Sequence, residues 1–184
     1  MGSEDKEPTS MRLVFQYGSN CLESQINSLE RLKGDARFVS IAVTVEDYEL
    51  AFDVFSKGRH CAAADLVSKP GSKAWGVLYE IPEYLIGRET AKAAGNRKSL
   101  DAIEGEGTNY ERKQVEVRKP DGTVVSALTY TVISPSDEFK TGLDYVRFII
   151  AGFRERGIPS DYIKKVKDIA ASNNPELAIN IERL

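Results

Sequence analysis

The chain has 184 residues, of which 41 % are hydrophobic and 29 % are charged, with a formal net charge of -3. This size predicts one domain with one hydrophobic core, and the near-neutral charge argues against nucleic acid or a membrane surface as the partner. We therefore expect a small-molecule partner. Because no stretch approaches the roughly 20 apolar residues of a membrane span, and residues 1–10 lack the apolar centre of a signal peptide, we expect a cytoplasmic protein.

The few cysteine and histidine residues restrict the chemistry. Cys21 and Cys61 are the only cysteines and belong to no CxxC cluster, so we expect two reduced thiols without a catalytic role. His60 is the only histidine, which excludes most Ser–His and Cys–His arrangements and most zinc sites. We expect a carboxylate to move protons, with no metal and no cofactor, and we interpret His60 as a solvated turn residue.

The N-terminal part predicts a tail, a strand and a helix. Residues 1–10 lack apolar periodicity, which is typical of a disordered tail, and we expect residues 11–184 to form a single domain. An apolar run at residues 13–15 predicts a strand that ends near Tyr17 at the turn Tyr17-Gly18-Ser19-Asn20. Apolar residues at helical spacing then predict a helix that stops at Gly34.

The middle of the chain is rich in β-branched and aromatic residues. The pattern predicts strands at residues 38–45, 48–55, 61–67, 75–81, 110–117 and 124–133. Pro70-Gly71 predicts a hairpin between the third and fourth of these strands, and Asp121-Gly122 predicts one between the last two. Residues 83–99 fit either a helix or a mobile insertion.

The last third of the chain predicts two helices. An apolar stripe from Leu143 to Phe153 ends at Gly157, and Ser160 is a suitable N-cap for a second helix. Strands followed by helices predict an α+β fold, and this many strands in a short chain are most easily buried as a small mixed β-barrel with flanking helices.

Two features of the sequence could carry chemistry. The turn at residues 17–20 joins a buried strand to a predicted helix, so its free N–H groups and the helix dipole would attract a carboxylate or an oxyanion. The alternative is an ordinary turn with Ser19 or Asn20 as the N-cap. Glu104 ends a short apolar helical turn before Gly105 and could face a pocket, although most glutamates in proteins are solvated.

Taken together and in this order, these features resemble the γ-glutamyl cyclotransferase family, which is part of the AIG2-like group. The resemblance runs from Leu13 to Ile169. Tyr17-Gly18-Ser19-Asn20 looks like the signature loop, Trp75-Gly76-Val77-Leu78-Tyr79 resembles a central strand, and Leu100 to Gly105 resembles the catalytic segment.

The resemblance implies an activity and a set of residues. Members of the family convert a γ-glutamyl amide to 5-oxoproline and a free amine, as the substrate's own α-amine attacks its γ-carbonyl. Glu104 would act as the general acid and base. The residues implied to bind the γ-glutamyl group are Val14, Phe15, Gln16, Tyr17, Gly18, Ser19, Asn20, Tyr130 and Tyr145. For Tyr130 and Tyr145, packing in the core is the alternative interpretation.

Several alternatives remain open at this point. The chain could be a non-catalytic binding module on the same fold. The substrate could be a γ-glutamyl amino acid, a γ-glutamylamine or a γ-glutamyl-lysine isopeptide, and residues 83–98 could reshape the side of the site that holds the leaving group. Glutathione-specific relatives look less close because their loop reads YGSL. We expect a monomer or a homodimer.

Overall fold

We analysed a computed structural model, which describes residues 9–184. Most of the predicted N-terminal tail, residues 1–8, lies outside the described residues. Ser10 precedes the first strand, and its carbonyl accepts a hydrogen bond from the Glu83 N–H at 2.8 Å. The remainder of the chain shares one hydrophobic core, which confirms an α+β fold built on a barrel.

Five strands close the barrel, in the order β1 (Met11–Gln16), β5 (Trp75–Pro82), β2 (Arg37–Thr44), β6 (Tyr110–Arg118) and β7 (Val124–Val132). β1 runs parallel to β7 and every other pair is antiparallel, so the barrel is mixed, as the sequence predicts. The hairpin at Asp121-Gly122 joins β6 to β7 and is confirmed.

Two further strands, β3 (Tyr48–Ser56) and β4 (Cys61–Ser68), form a separate two-stranded sheet. The predicted hairpin between β4 and β5 is therefore wrong. The chain does turn at Pro70-Gly71, but β4 pairs with β3, and β5 pairs with β1 and β2. Residues 61–66 are all buried, and Asp65 accepts the Val132 N–H of β7 at 2.9 Å. β4 therefore packs on the barrel through its buried side chains and pairs with the preceding strand, not with the strand that follows the Pro70-Gly71 turn.

The helix predicted after the turn at residues 17–20 is much shorter than expected. A 3-10 turn at Ser19–Cys21 precedes α1, which spans only Glu23–Ile26. Leu29 is 83 % exposed, so the apolar spacing that suggested a long helix does not mark a buried helical face. Lys33 and Gly34 both have positive φ, a backbone conformation that cannot continue a right-handed helix.

The segment at residues 83–99 contains a 3-10 turn at Glu83–Leu85 and α2 at Arg88–Ala93. It leads into α3, which spans Leu100–Glu104. Of the two interpretations that the sequence left open, the structure supports the helical one.

The two C-terminal helices are confirmed as α4 (Leu143–Arg156) and α5 (Ser160–Asn173), followed by α6 (Ala178–Glu182). Ser160 is not the N-cap of α5. Pro159 takes that position with φ -53° and ψ 136°, and no side chain caps the helix. None of the helices in residues 9–184 is long and apolar enough to cross a membrane.

Candidate active site

The loop after β1 lies at the mouth of the barrel. Its 3-10 turn is closed by hydrogen bonds from the Cys21 N–H to the Gly18 carbonyl at 3.1 Å and from the Leu22 N–H to the Ser19 carbonyl at 3.2 Å. Within the described part of the chain, the N–H groups of Gly18 and Ser19 have no acceptor. The loop therefore keeps backbone donors for a ligand, while the expected contribution of a long helix dipole is wrong because α1 has four residues.

Neither Ser19 nor Asn20 serves as an N-cap side chain in this turn. The loop is instead fixed from behind by α4, whose Gly152 lies against the backbone of Cys21 and Leu22. A Cβ atom on Gly152 would approach the Leu22 nitrogen to 2.5 Å, so only glycine permits this close packing.

Glu104 is presented by α3, which is fixed at both ends. The Ser99 Oγ accepts the Ala102 N–H at 3.1 Å as an N-cap, and Gly105 ends the helix with φ 71°. Asp101 on the same helix is buried and accepts two hydrogen bonds from the Arg112 guanidinium of β6. This ion pair, in which Asp101 is buried and Arg112 is exposed, anchors α3 on the barrel and directs Glu104 towards the loop after β1.

The loop and the acid meet through direct hydrogen bonds. Gln16 donates from Nε2 to Glu104 Oε1 at 3.0 Å, and Asn20 donates from Nδ2 to the same oxygen at 2.8 Å. Arg31 in turn donates to the Asn20 side-chain oxygen, which fixes the orientation of the Asn20 amide. Among residues 9–184, Glu104 Oε2 has no hydrogen-bond partner. One oxygen of the carboxylate is thus held, and the other is free for a ligand.

The surroundings of Glu104 raise its pKa above the ordinary value for a glutamate. Burial raises the pKa of Glu104, and this effect exceeds the lowering by the Gln16 and Asn20 hydrogen bonds and by the Arg31 charge. A carboxylate with a raised pKa accepts a proton more strongly than a solvated one.

Two adjoining cavities open beside Glu104. The inner one has a volume of about 40 Å³ and is lined by Gln16, Tyr17 and Gly18, and the outer one has a volume of about 330 Å³. Both cavities are lined by Ser19, Asn20, Glu104, Tyr110 and Tyr145. The loop, the acid and two tyrosines therefore surround one continuous candidate site.

The predicted pocket tyrosines reach this site. Tyr130 lines the inner cavity and donates to Asp101 Oδ1 at 2.8 Å, and the Tyr17 hydroxyl donates to the Tyr130 carbonyl. Tyr145 lines both cavities, and its hydroxyl accepts the Ala64 N–H at 3.0 Å. Val14 and Phe15 are buried in the barrel, and their side chains line neither cavity.

The sequence did not single out several residues of this site. Tyr110, at the start of β6, lines both cavities and donates to the Ala64 carbonyl at 2.7 Å. Arg31 and Arg59 line the outer cavity, whose outer wall is the β3–β4 hairpin. Residues 83–98 line neither cavity, so the expectation that they reshape the site is not supported.

The geometry defines a class of site. A partly buried carboxylate with one free oxygen beside a polar cavity at the mouth of a closed barrel is a small-molecule site with a candidate acid–base group. A model of the family described as "Gamma-glutamyl cyclotransferase, AIG2-like" matches residues 14–147. The chain belongs to this family, which confirms the resemblance found in the sequence.

Individual relatives agree with this assignment. The chain is 26 % identical over 167 residues to the γ-glutamylcyclotransferase of Mus musculus, covering 85 % of this chain and 78 % of that protein. The protein of the same name from Bos taurus is 28 % identical with the same coverage. A solved structure of a γ-glutamyl cyclotransferase superposes with a TM-score of 0.70 at 23 % identity, covering 86 % of this chain and 87 % of that one. At that identity, the superposition supports the fold alone.

Proposed function

We propose that this protein is a cyclotransferase that converts a γ-glutamyl amide to 5-oxoproline and a free amine, with Glu104 as the general acid and base. The single observation that carries the proposal is the state of the Glu104 carboxylate. Gln16 and Asn20 hold Oε1, while Oε2 has no partner in the described residues and faces the cavities. Family membership indicates the class of substrate.

In the proposed complex, the γ-glutamyl group enters the inner cavity and the leaving amine occupies the outer one. The N–H groups of Gly18 and Ser19 are available to donate to its polar oxygens. Gly18 has no side chain, so a ligand can approach its backbone closely. A Cβ atom at this position would crowd Ala64 Cβ and the Tyr145 hydroxyl, which border the inner cavity. The protein thereby folds the substrate so that its α-amine lies against its own γ-carbonyl, which supplies much of the rate acceleration.

The chemistry then needs one proton carrier and no enzyme nucleophile. The neutral α-amine attacks the γ-carbonyl carbon, a C–N bond forms, and Glu104 Oε2 accepts a proton from the attacking nitrogen. Backbone N–H groups of the loop stabilise the negative charge that develops on the γ-oxygen. The original C–N bond then breaks, and Glu104 returns the proton to the departing amine.

The experiment incubates the purified protein with γ-glutamyl amino acids, glutathione, γ-glutamylamines and γ-glutamyl-lysine, and quantifies 5-oxoproline by mass spectrometry. We expect at least one substrate to release 5-oxoproline and the free amine in equal amounts. No release from any substrate would contradict the proposal. Binding of a γ-glutamyl compound without release, measured by calorimetry, would favour the non-catalytic binding module instead.

A further inference from the structure

The lining of the outer cavity contains more positive than negative side chains. Arg31 and Arg59 both line this cavity and are half-buried, Lys57 lies at its rim, and among the residues that the structure describes Glu104 is the only carboxylate in its lining. Within residues 9–184, neither Arg31 nor Arg59 forms a salt bridge with any carboxylate. Glu104 supplies one negative charge against these two guanidinium groups, so a ligand that carries a carboxylate would supply the second.

Arg59 is held in position although no acid pairs with it. One of its Nη atoms donates to Gln25 Oε1 at 2.8 Å. Its guanidinium carbon lies 5.3 Å from the centre of the Tyr145 ring and 5.0 Å from that of Phe148, within the range of cation–π attraction. The same Nη2 atom also donates to Ser19 Oγ at 3.5 Å, while Nε and Nη1 have no acceptor in the described residues.

Arg31 adds a second positive charge to the lining of the outer cavity. It donates to the side-chain oxygen of Asn20, next to Glu104. Its pKa is lowered first by burial, is raised by Glu104, and is lowered again by the like charge of Arg59. Both guanidinium groups line the same cavity, so an anion bound there would be attracted by both.

We propose that Arg59 is a specificity-determining residue that binds an anionic group on the leaving amine, so that turnover increases with the number of carboxylates that the leaving amine carries. This inference rests on the proposed cyclotransferase function and concerns only the leaving-group side of the site. Acidic amino acids are then the best leaving groups, neutral amino acids come next, and amines without a carboxylate are the poorest. The forked guanidinium suits a carboxylate because it can donate two parallel hydrogen bonds.

The test is a series of γ-glutamyl compounds that differ in charge: γ-glutamyl-glutamate, γ-glutamyl-alanine, γ-glutamyl-alaninamide and γ-glutamyl-butylamine. We expect kcat/KM to fall along the series, with a loss of roughly 10- to 100-fold between the alanine and alaninamide compounds, the range of one charge-assisted contact. The loss should lie mainly in KM, because the carboxylate takes no part in bond making or breaking.

Arg59→Met keeps much of the aliphatic stem and removes the charge, so it should abolish the discrimination, measured within the variant as the ratio of kcat/KM between the alanine and alaninamide compounds. Arg59→Lys should keep part of the preference for anionic leaving groups, and this would show that the loss in Arg59→Met is not caused by unfolding. Arg154→Met, at an exposed position on α4, is the matched control and should retain the full preference.

If anionic and neutral compounds release 5-oxoproline equally in the wild-type protein, or if Arg59→Met keeps the preference, this inference is wrong and the cyclotransferase proposal stands. If no compound releases 5-oxoproline, the cyclotransferase proposal fails, and this inference fails with it.

Discussion

Asn20 donates from Nδ2 to Glu104 Oε1 at 2.8 Å, a contact between residues that are 84 positions apart in the chain. It joins the turn after β1 to the end of α3, and it leaves Asn20 Oδ1 to accept a hydrogen bond from Arg31. The orientation of the amide is therefore fixed, because only its nitrogen can donate to the carboxylate. Asn20 thus stabilises the ionised form of Glu104.

Asn20→Ala should shift the pH dependence of the reaction. Loss of a donor to the carboxylate raises the pKa of Glu104 further above its ordinary value, since that hydrogen bond lowers the pKa. If Glu104 must be ionised in the free enzyme, the acidic limb of kcat/KM moves to higher pH. The measurement is a pH–rate profile beside that of Asn109→Ala, which also changes a residue of the outer cavity. An acidic limb that does not move would exclude Glu104 as the group that it reports.

Gly18→Val should block the inner cavity and leave the fold intact. A Cβ atom at Gly18 would lie 3.3 Å from Ala64 Cβ and 3.5 Å from the Tyr145 hydroxyl, and valine adds two methyl groups there. Because Gly18 has φ -113°, the backbone accepts a side chain without the strain of a positive φ. We expect KM to rise by about 10-fold or more. Gly58→Ala, where an added Cβ has nothing within 4 Å, is the control. Normal kinetics in a folded Gly18→Val protein would contradict the assignment of the inner cavity to substrate.

Local signals in the sequence predicted the parts of the fold that depend on local structure. The Asp121-Gly122 turn defines the β6–β7 hairpin, and Gly157 ends α4 in the left-handed conformation that its position suggested. Pro70-Gly71 is an equally clear turn signal, yet it joins strands that do not pair. β4 packs on the barrel beside β7 and pairs with the preceding strand, and no local pattern encodes that choice.

The candidate site was predictable in part. The loop at residues 17–20 and Glu104 came from a resemblance to a family, because neither residue pattern is specific enough alone. The sequence did not indicate a role for Arg59, because this residue lies in a polar hairpin loop, where an arginine is ordinarily solvated. Only the folding of the β3–β4 hairpin over the mouth of the barrel brings it to the cavity, and that is a tertiary relationship.

Gly152→Ala should destabilise the protein and disturb the loop. The new Cβ would meet the Leu22 nitrogen at 2.5 Å and the Cys21 carbonyl carbon at 2.8 Å, and these backbone atoms cannot rotate away. We expect a loss of about 1–3 kcal/mol in the free energy of unfolding, as is usual for overpacking. Urea denaturation gives that value, and Ala151→Ser on the exposed side of α4 is the control. Equal midpoints for Gly152→Ala and the wild type would show that α4 does not pack tightly against the loop.

Asp53→Asn should stabilise the protein at high pH. Burial, the charge of Asp65 and a hydrogen bond with Asp65 raise the pKa of Asp53 to about 7. The folded state therefore holds a proton that the unfolded chain releases near pH 4. The associated stability is fully present below that pH and is lost as the pH rises towards 7. Asparagine has a neutral amide that can donate to Asp65 at any pH, so it removes this loss.

The measurement is the melting temperature of Asp53→Asn and wild type between pH 4 and pH 8, with exposed Asp137→Asn as the control. The advantage of Asp53→Asn should be small at pH 4 and largest at pH 8. A constant difference across this range would show that Asp53 and Asp65 share no proton.

Glu104→Gln tests the central claim most directly. Glutamine keeps the size of the side chain, but it cannot accept a proton, so the chemical step should slow by roughly 100- to 10,000-fold, the usual reach of general acid–base catalysis. The control is Glu106→Gln, two residues along the chain from Glu104. This change removes a half-exposed ion pair between Glu106 and Arg88. Such a pair contributes at most about 1 kcal/mol to stability, and Glu106 takes no part in the proposed chemistry.

The measurement is the rate of 5-oxoproline release at saturating γ-glutamyl substrate for wild type, Glu104→Gln and Glu106→Gln, with melting temperatures recorded for all three. The account predicts near-wild-type turnover for Glu106→Gln and a loss of at least about 100-fold for a folded Glu104→Gln protein that still binds substrate. Turnover of Glu104→Gln within a few-fold of wild type would contradict the assignment of Glu104 as the proton carrier.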